Sequence, residues 1–186
     1  FTKKELKFLD ECAKTTTRNT GNLTSSNRYV LDDPALADLR EYYQFYVNYY
    51  MEKVYAPKYP VDAYITQSWC NYTKTGEYHH KHAHPNSWIS GCIYINADRD
   101  KDRITFYSDK YNRIDLPTEN FNAFNSSSWW FSVGTGDIVL FPSYLTHMVE
   151  QTVSTDTRVS IAINTFLKGY IGDEHSLTEL LFKKVM

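Results

Sequence analysis

After residue 60 the chain is a succession of short β-branched and aromatic segments with no helix between them. Their hydrophobic period is two, and glycine, proline, asparagine, aspartate and serine separate them. Neighbouring parallel strands need a long crossover, usually a helix, so this pattern argues against a parallel sheet. It predicts a mainly β fold with flanking helices, a double sheet or jelly roll. The predicted strands cover residues 63–72, 88–96, 103–108, 129–133, 137–141, 147–153 and 157–167.

Two helices are predicted before these strands. The first is amphipathic, covers residues 2–14 and can be capped by the Thr2 hydroxyl. The second begins at Asp33-Pro34, because aspartate caps a helix and proline tolerates the first helical position, and it continues to residue 54. Its apolar positions recur three or four residues apart, which predicts a buried stripe. That stripe consists of Leu36, Leu39, Tyr43, Tyr46, Tyr50 and Val54.

The chain length and the pattern together predict one domain over residues 1–186. Its expected parts are a helical N-terminal part (1–56), a jelly-roll core (61–168) and a C-terminal helix (174–184). Residues 15–30 are expected to form a polar loop, and a second long irregular segment, 109–128, is expected to flank a site.

Composition excludes several functional classes. Lysine and arginine number 20 against 22 acidic residues, a net charge of −2, so no broad basic surface is available for nucleic acid. No apolar stretch approaches the roughly 18 to 20 residues that span a bilayer, and the segment FTKKELKF lacks the apolar core of a signal peptide. We therefore expect a soluble cytoplasmic protein that binds neither nucleic acid nor membrane. Three separated cysteines without a CxxC pair indicate reduced thiols rather than disulfides.

Histidines are concentrated in the segment EYHHKHAHP, which contains His79, His80, His82 and His84. On a strand, the last three share one face. Neutral imidazole binds iron, zinc, nickel or copper, and two histidines two residues apart can reach one ion. A solvated polar hairpin explains this segment equally well, so a third ligand from elsewhere must decide between them.

His147 is the candidate third ligand, because it opens a predicted strand after the turn that follows Phe141-Pro142. Arg158 and Ser160 follow in the segment TDTRVSIAINTF and point to the same side of a strand. A buried arginine is costly unless it meets a carboxylate, which its planar fork binds well. An inward Arg158 therefore indicates an acidic ligand or a buried Asp or Glu; an edge arginine facing water is the alternative.

The order of these motifs resembles the iron- and 2-oxoglutarate-dependent oxygenases, especially the prolyl hydroxylase-like branch and uncharacterised oxygenases of bacteria and phages. The resemblance extends over about residues 61–168. It rests on Tyr72, Gly76, Tyr78, His82-Ala83-His84, Tyr94-Ile95-Asn96, His147 and Arg158-x-Ser160.

This resemblance implies a double-stranded β-helix with Fe(II) and 2-oxoglutarate as cofactors. His82 and His147 are implied to bind Fe(II), and Arg158 to bind the far carboxylate of 2-oxoglutarate. Ser160 and either Tyr94 or Tyr72 are implied to add hydrogen bonds. At position 84 most of the superfamily has Asp or Glu as the third ligand, whereas this chain has His84, as does the branch that it most resembles.

The implied activity is a dioxygenase that hydroxylates a small molecule or a protein side chain, consuming O2 and releasing succinate and CO2. The expected catalytic residues are His82, His84, His147 and Arg158, and a homodimer is left open. One alternative is a three-histidine cupin dioxygenase that does not use 2-oxoglutarate, which leaves Arg158 and Ser160 unexplained. Another is a non-catalytic jelly-roll binding module that retains a metal site.

Overall fold

The computed structural model describes residues 1–109, 114 and 116–182. Helix α1 covers Lys3–Lys14 and helix α2 covers Ala37–Tyr50, which continues into a π-helical turn at Met51–Tyr55. Short 3-10 turns precede α2. The strands are β1 (Thr16–Arg18), β2 (Leu23–Ser25), β3 (Val61–Thr73), β4 (His79–His82), β5 (Ile89–Asn96), β6 (Arg103–Tyr107), β7 (Ser128–Ser132), β8 (Ile138–Pro142), β9 (His147–Val149), β10 (Arg158–Ile171) and β11 (Leu180–Phe182).

Helix α1 begins where its cap predicts, whereas the predicted cap Asp33 begins a 3-10 turn at Pro34–Leu36 and α2 follows from Ala37. The Thr2 hydroxyl accepts a hydrogen bond from the Glu5 backbone N at 3.2 Å, and the Glu5 carboxylate accepts one from the Thr2 backbone N at 2.6 Å. Asp33 accepts a hydrogen bond from the Ala35 backbone N at 2.8 Å. The predicted stripe of α2 needs one correction: Val54 is 58% exposed, because the π-helical turn shifts the phase of the last residues.

The strands form two antiparallel sheets. The larger has the order β1-β2-β3-β10-β5-β8, with β11 also paired to β10, and the smaller has the order β4-β9-β6-β7. This is the predicted double-stranded β-helix. Strand β10 is central, since it pairs with β3 on one side and β5 on the other.

Successive side chains of β10 point alternately to the apolar core and to a cavity between the sheets. Ile161 and Ile163 are fully buried and pack on the face that α1 and α2 cover. Arg158, Ser160 and Ala162 lie on the opposite face and line a cavity together with residues of the smaller sheet. The helices therefore complete an apolar core on one face of the larger sheet, and the other face is left for polar groups.

The predicted C-terminal helix (174–184) is wrong over its described residues. Asp173 accepts hydrogen bonds from the backbone of the turn that follows, Leu177 has a φ of 57°, and Leu180–Phe182 pairs with β10. A left-handed residue interrupts a helix, and the exposed edge of β10 supplies backbone partners instead. Residues 183 and 184 lie outside the described residues.

The expected polar loop at 15–30 also contains structure, because β1 and β2 pair with each other and β2 pairs with β3. Residues 110–113 and 115 of the expected long segment 109–128 lie outside the described residues. Within the part of the chain that the structure describes, no helix has the length and apolarity to cross a membrane.

Candidate metal centre

Strand pairing brings the separated histidines together between the two sheets. In the β4–β9 pair His82 stands opposite His147, and in the β6–β9 pair Phe106 stands opposite His147. His84 follows β4 directly, and its backbone N donates a hydrogen bond to the Ser143 carbonyl at 2.9 Å. The pairing of β4 with β9 therefore brings the three histidines together.

The three histidines have the geometry of a metal site. One ring nitrogen from each of His82, His84 and His147 lies within 4.8 Å of the others. The Nε2 atoms of His84 and His147 are 3.4 Å apart. Two nitrogen ligands about 2.0 to 2.1 Å from one ion are separated by about 3 to 3.5 Å, so one ion can bind both.

Backbone hydrogen bonds orient two of these rings. Nδ1 of His82 contacts the His80 carbonyl at 2.7 Å, and Nδ1 of His147 contacts the Leu145 carbonyl at 3.0 Å. A carbonyl only accepts, so each Nδ1 carries the proton and each Nε2 keeps its lone pair. This is the tautomer that metal-binding histidines adopt.

Burial keeps these imidazoles neutral. It lowers the pKa of His84 to about 3 and that of His147 to about 4, with further lowering from the neighbouring histidines. The pKa of His82 is also lowered, chiefly by burial. Neutral rings retain the lone pairs that a metal ion needs.

Arg158 is 4% exposed and lies in the same cavity. Its Nη2 donates a long hydrogen bond of 3.5 Å to the Thr73 hydroxyl. Its Nη1 lies 4.0 Å from Oδ1 of Asp102 and has no hydrogen-bond partner among the described residues. Asp102 in turn accepts hydrogen bonds from the Thr152 hydroxyl at 2.8 Å and the Asp98 backbone N at 2.9 Å. A buried guanidinium with an unsatisfied donor fits an anionic ligand such as a carboxylate.

Sequence reasoning missed Asp102, which lies in the charged segment DRDKDR and carries no distinguishing local pattern. It missed Asn71 as well, whose Oδ1 is buried in the cavity wall without a partner among the described residues. A signal for Asn71 existed, because it lies two positions from Trp69 on the same strand and therefore shares that residue's face.

The two tyrosine candidates lie on opposite faces of the larger sheet. Tyr94 is buried in the cavity wall opposite Ser160, and burial raises its pKa, so its hydroxyl stays protonated. Tyr72 pairs with Val159, one residue out of phase with Arg158, and its hydroxyl donates to the Leu9 carbonyl at 3.1 Å. The expectation that Tyr72 binds 2-oxoglutarate is therefore wrong, whereas those for Tyr94 and Ser160 stay predictions.

His79 also lines the cavity, where its ring stacks on His82 with 4.6 Å between centroids. Burial, followed by the neighbouring histidines, lowers its pKa to about 2. The remaining free volume is about 30 Å³, room for a water molecule or two. A larger ligand therefore requires movement of side chains in the wall.

An apolar surface connects the histidines to solvent. The Phe106 ring lies 6.0 Å from the His147 ring and 6.1 Å from the Phe131 ring. Phe131 belongs to β7 at the edge of the smaller sheet and is 53% exposed, and Trp129 on the same strand is 36% exposed. This side of the site suits an apolar group.

The fold is similar to three solved structures at low sequence identity. An oxidoreductase of the 2OG-Fe(II) oxygenase family from Burkholderia pseudomallei gives a TM-score of 0.59 at 10% identity, over 87% of this chain and 76% of that chain. The non-heme alpha ketoglutarate dependent epimerase SnoN from nogalamycin biosynthesis gives 0.60 at 10% identity, over 89% and 74%. HygX from Streptomyces hygroscopicus, with nickel and 2-oxoglutarate bound, gives 0.54 at 12% identity, over 87% and 77%.

The family assignment comes from a sequence model. No curated protein sequence matches the chain. The model for the family described as "Putative 2OG-Fe(II) oxygenase" matches residues 67–164, more than half of the chain, and this segment contains His82, His84, His147 and Arg158. The chain therefore belongs to this family of oxygenases, which use Fe(II) and 2-oxoglutarate.

Proposed function

We propose that this enzyme hydroxylates a C–H bond of an organic substrate. One oxygen atom of O2 enters the substrate and the other enters succinate, while 2-oxoglutarate loses CO2. The observation that carries the proposal is one cavity that contains both three convergent neutral imidazoles and a buried arginine with an unsatisfied Nη1. A 2-oxo dicarboxylic acid can use both, because one end can bind a metal ion and the other can bind a guanidinium.

In this proposal His82, His84 and His147 hold the metal. Fe(II), when bound, supplies the redox chemistry with O2. The backbone bonds to Nδ1 of His82 and His147 keep each Nε2 aimed at the ion. Three neutral imidazoles leave the full charge of Fe(II) uncompensated, whereas a carboxylate ligand would offset one unit of it. The site therefore favours an anionic cosubstrate.

Arg158 binds the far carboxylate of 2-oxoglutarate in this proposal. Asp102 and Thr73 keep its guanidinium in place, and neither satisfies Nη1 with a hydrogen bond. Ser160 and Tyr94 lie in the same wall and supply hydroxyl donors. A charge-assisted pair in a site closed to water is stronger than the same pair in solvent, so this contact contributes much of the affinity.

The substrate is a small molecule or a protein side chain with an apolar group near the carbon that reacts. Phe106 packs beside His147, Phe131 and Trp129 continue this apolar surface to exposed positions, and apolar walls exclude water from an oxidising centre. A long charged group would lose its hydration against this apolar surface without gaining a hydrogen-bond partner.

Anaerobic titration of the Fe(II)-loaded protein with 2-oxoglutarate tests the proposal. Bidentate chelation produces a weak visible metal-to-ligand absorption band, which we expect in the wild type. In Arg158→Ala the band should be lost at the same 2-oxoglutarate concentration while iron stays bound. Absence of the band from wild-type protein that holds iron would contradict the use of 2-oxoglutarate.

The histidine at position 84 favours one second candidate. In a three-histidine cupin dioxygenase, iron activates the substrate and O2 without a 2-oxo acid, and His84 completes such a set with His82 and His147. Substrate oxidation that proceeds at an equal rate with and without 2-oxoglutarate would favour this candidate. We prefer the first, because only it gives a role to the unsatisfied Nη1 of Arg158.

A further inference from the structure

A turn near the N-terminus contacts His79 of the cavity wall and Thr73 through polar side chains. Strands β1 and β2 are joined by residues 19–22, and β2 extends the larger sheet by pairing with β3 at Tyr72. Asn22 is fully buried. This turn precedes the family-matched segment 67–164, so its residues are a contribution of this chain beyond that segment.

A chain of hydrogen bonds runs from this turn to both functional parts of the site. The Asn19 amide contacts Oδ1 of Asn22 and Nε2 of His79, each at 3.1 Å. The Asn22 amide donates to the Thr73 hydroxyl at 3.4 Å, and Arg158 Nη2 donates to the same hydroxyl at 3.5 Å. His79 and Arg158, on different sheets, are therefore connected through Asn19, Asn22 and Thr73.

These bonds determine which nitrogen of His79 carries the proton. The Asn19 amide nitrogen only donates, so Nε2 of His79 accepts and Nδ1 is protonated. No hydrogen bond to Nδ1 is formed by the residues that the structure describes. The ring stacks on His82 and lines the cavity that Arg158 lines, so the cavity wall includes a neutral imidazole with one N–H donor.

We propose that His79 is a binding residue for 2-oxoglutarate and that Asn19 is the positioning residue that sets its tautomer and ring orientation. This inference rests on the proposed function, since it needs 2-oxoglutarate in this cavity. Nδ1–H donates to an anionic oxygen of the cosubstrate, while Arg158 binds the far carboxylate. The N-terminal turn is thus a part of the cosubstrate site.

The same bonds distinguish this role from metal ligation. Ring nitrogens of His79, His80 and His82 lie within 4.8 Å of one another, which is close enough for a metal ion. A ligand nitrogen needs a free lone pair, however, and in His79 one nitrogen accepts from Asn19 and the other carries the proton. His79 therefore binds an anion in this arrangement.

Calorimetric titration of the full chain under anaerobic conditions tests the assignment, first with Fe(II) and then with 2-oxoglutarate on the Fe(II)-loaded protein. A hydrogen bond to a charged group changes affinity by about tenfold to a hundredfold. We expect His79→Ala to weaken 2-oxoglutarate binding by that factor and to leave Fe(II) affinity within about twofold. His175→Ala is the control, because His175 is exposed and its side chain does not line the cavity.

A double-mutant cycle tests the role of Asn19. Asn19→Ala should weaken 2-oxoglutarate binding less than His79→Ala does, and should have little further effect in the His79→Ala background, because the two act as a unit. Additive losses would show that Asn19 acts through the fold alone and would overturn its positioning role. Thermal unfolding of each apoprotein identifies a variant that fails to fold.

The remaining outcomes are distinguishable. Unchanged 2-oxoglutarate affinity in His79→Ala, with binding lost in Arg158→Ala, would overturn the inference and keep the proposed function. Loss of Fe(II) affinity in His79→Ala would make His79 a metal ligand instead. A wild-type protein that holds iron and does not bind 2-oxoglutarate would overturn both.

Discussion

Nη1 of Arg158 lies 4.0 Å from Oδ1 of Asp102, and both side chains are buried. The distance is within the range of an ion pair and too long for a hydrogen bond. The carboxylate of Asp102 therefore compensates the positive charge of the buried Arg158. Thr152 and Asp98 donate hydrogen bonds to the carboxylate oxygens of Asp102. The guanidinium keeps a donor for a ligand.

Asp102→Asn should destabilise the protein by about 3 to 5 kcal/mol, because it leaves the buried charge of Arg158 uncompensated. Urea unfolding of the apoprotein measures the loss. Asp100→Asn, at an exposed position in the same turn, is the control and should change stability by less than about 0.5 kcal/mol. An equal effect of both variants would mean that Asp102 does not compensate Arg158.

Arg158→Lys should keep the positive charge and still weaken 2-oxoglutarate binding by about tenfold or more, because lysine lacks the planar fork that matches a carboxylate. Calorimetry on the metal-loaded protein measures this affinity. The reasoning fails if the lysine variant binds 2-oxoglutarate as tightly as the wild type does.

His147→Ala should lower Fe(II) affinity by at least about a hundredfold, since it removes one of three protein ligands and leaves an incomplete set. His84→Asp should retain iron, because a carboxylate oxygen is a common third ligand beside two histidines. Competition with a chromophoric chelator measures both affinities. The control is His175→Ala, at an exposed residue outside the cavity; wild-type affinity in His147→Ala would remove His147 from the metal site.

Tyr72 and Tyr94 should respond differently to removal of the hydroxyl. Tyr72→Phe loses the bond to Leu9 and should destabilise the protein by about 1 kcal/mol without a change in 2-oxoglutarate affinity. Tyr94→Phe should weaken 2-oxoglutarate binding by about five- to tenfold, since its hydroxyl is a donor in the cavity wall. Thermal unfolding and calorimetry separate the two effects, and a loss of 2-oxoglutarate affinity in Tyr72→Phe would contradict the opposite orientation of the two side chains.

Much of the fold could be predicted from local patterns. The period-two segments correspond to β3, β5, β6, β7, β8, β9 and β10, the Thr2 cap begins α1, and the Asp33 cap begins the 3-10 turn that precedes α2. Strands β1, β2 and β11 could not be predicted, because their short segments show no period-two pattern of apolar residues. Their backbone hydrogen bonds depend on the edge that a neighbouring strand presents.

The candidate site likewise has residues that the sequence predicts and residues that it does not. The sequence by itself indicated, through the resemblance that its motifs carry, that His82, His84, His147, Arg158 and Ser160 belong to one site, and all five line one cavity. Only the tertiary structure decided that Tyr94 and not Tyr72 faces this cavity, that His79 lines it, and that Asp102 lies beside Arg158. The reason is physical: alternation gives the face of a residue within one strand, whereas contacts between sheets depend on register and on turns, which place groups distant in sequence within a few ångströms.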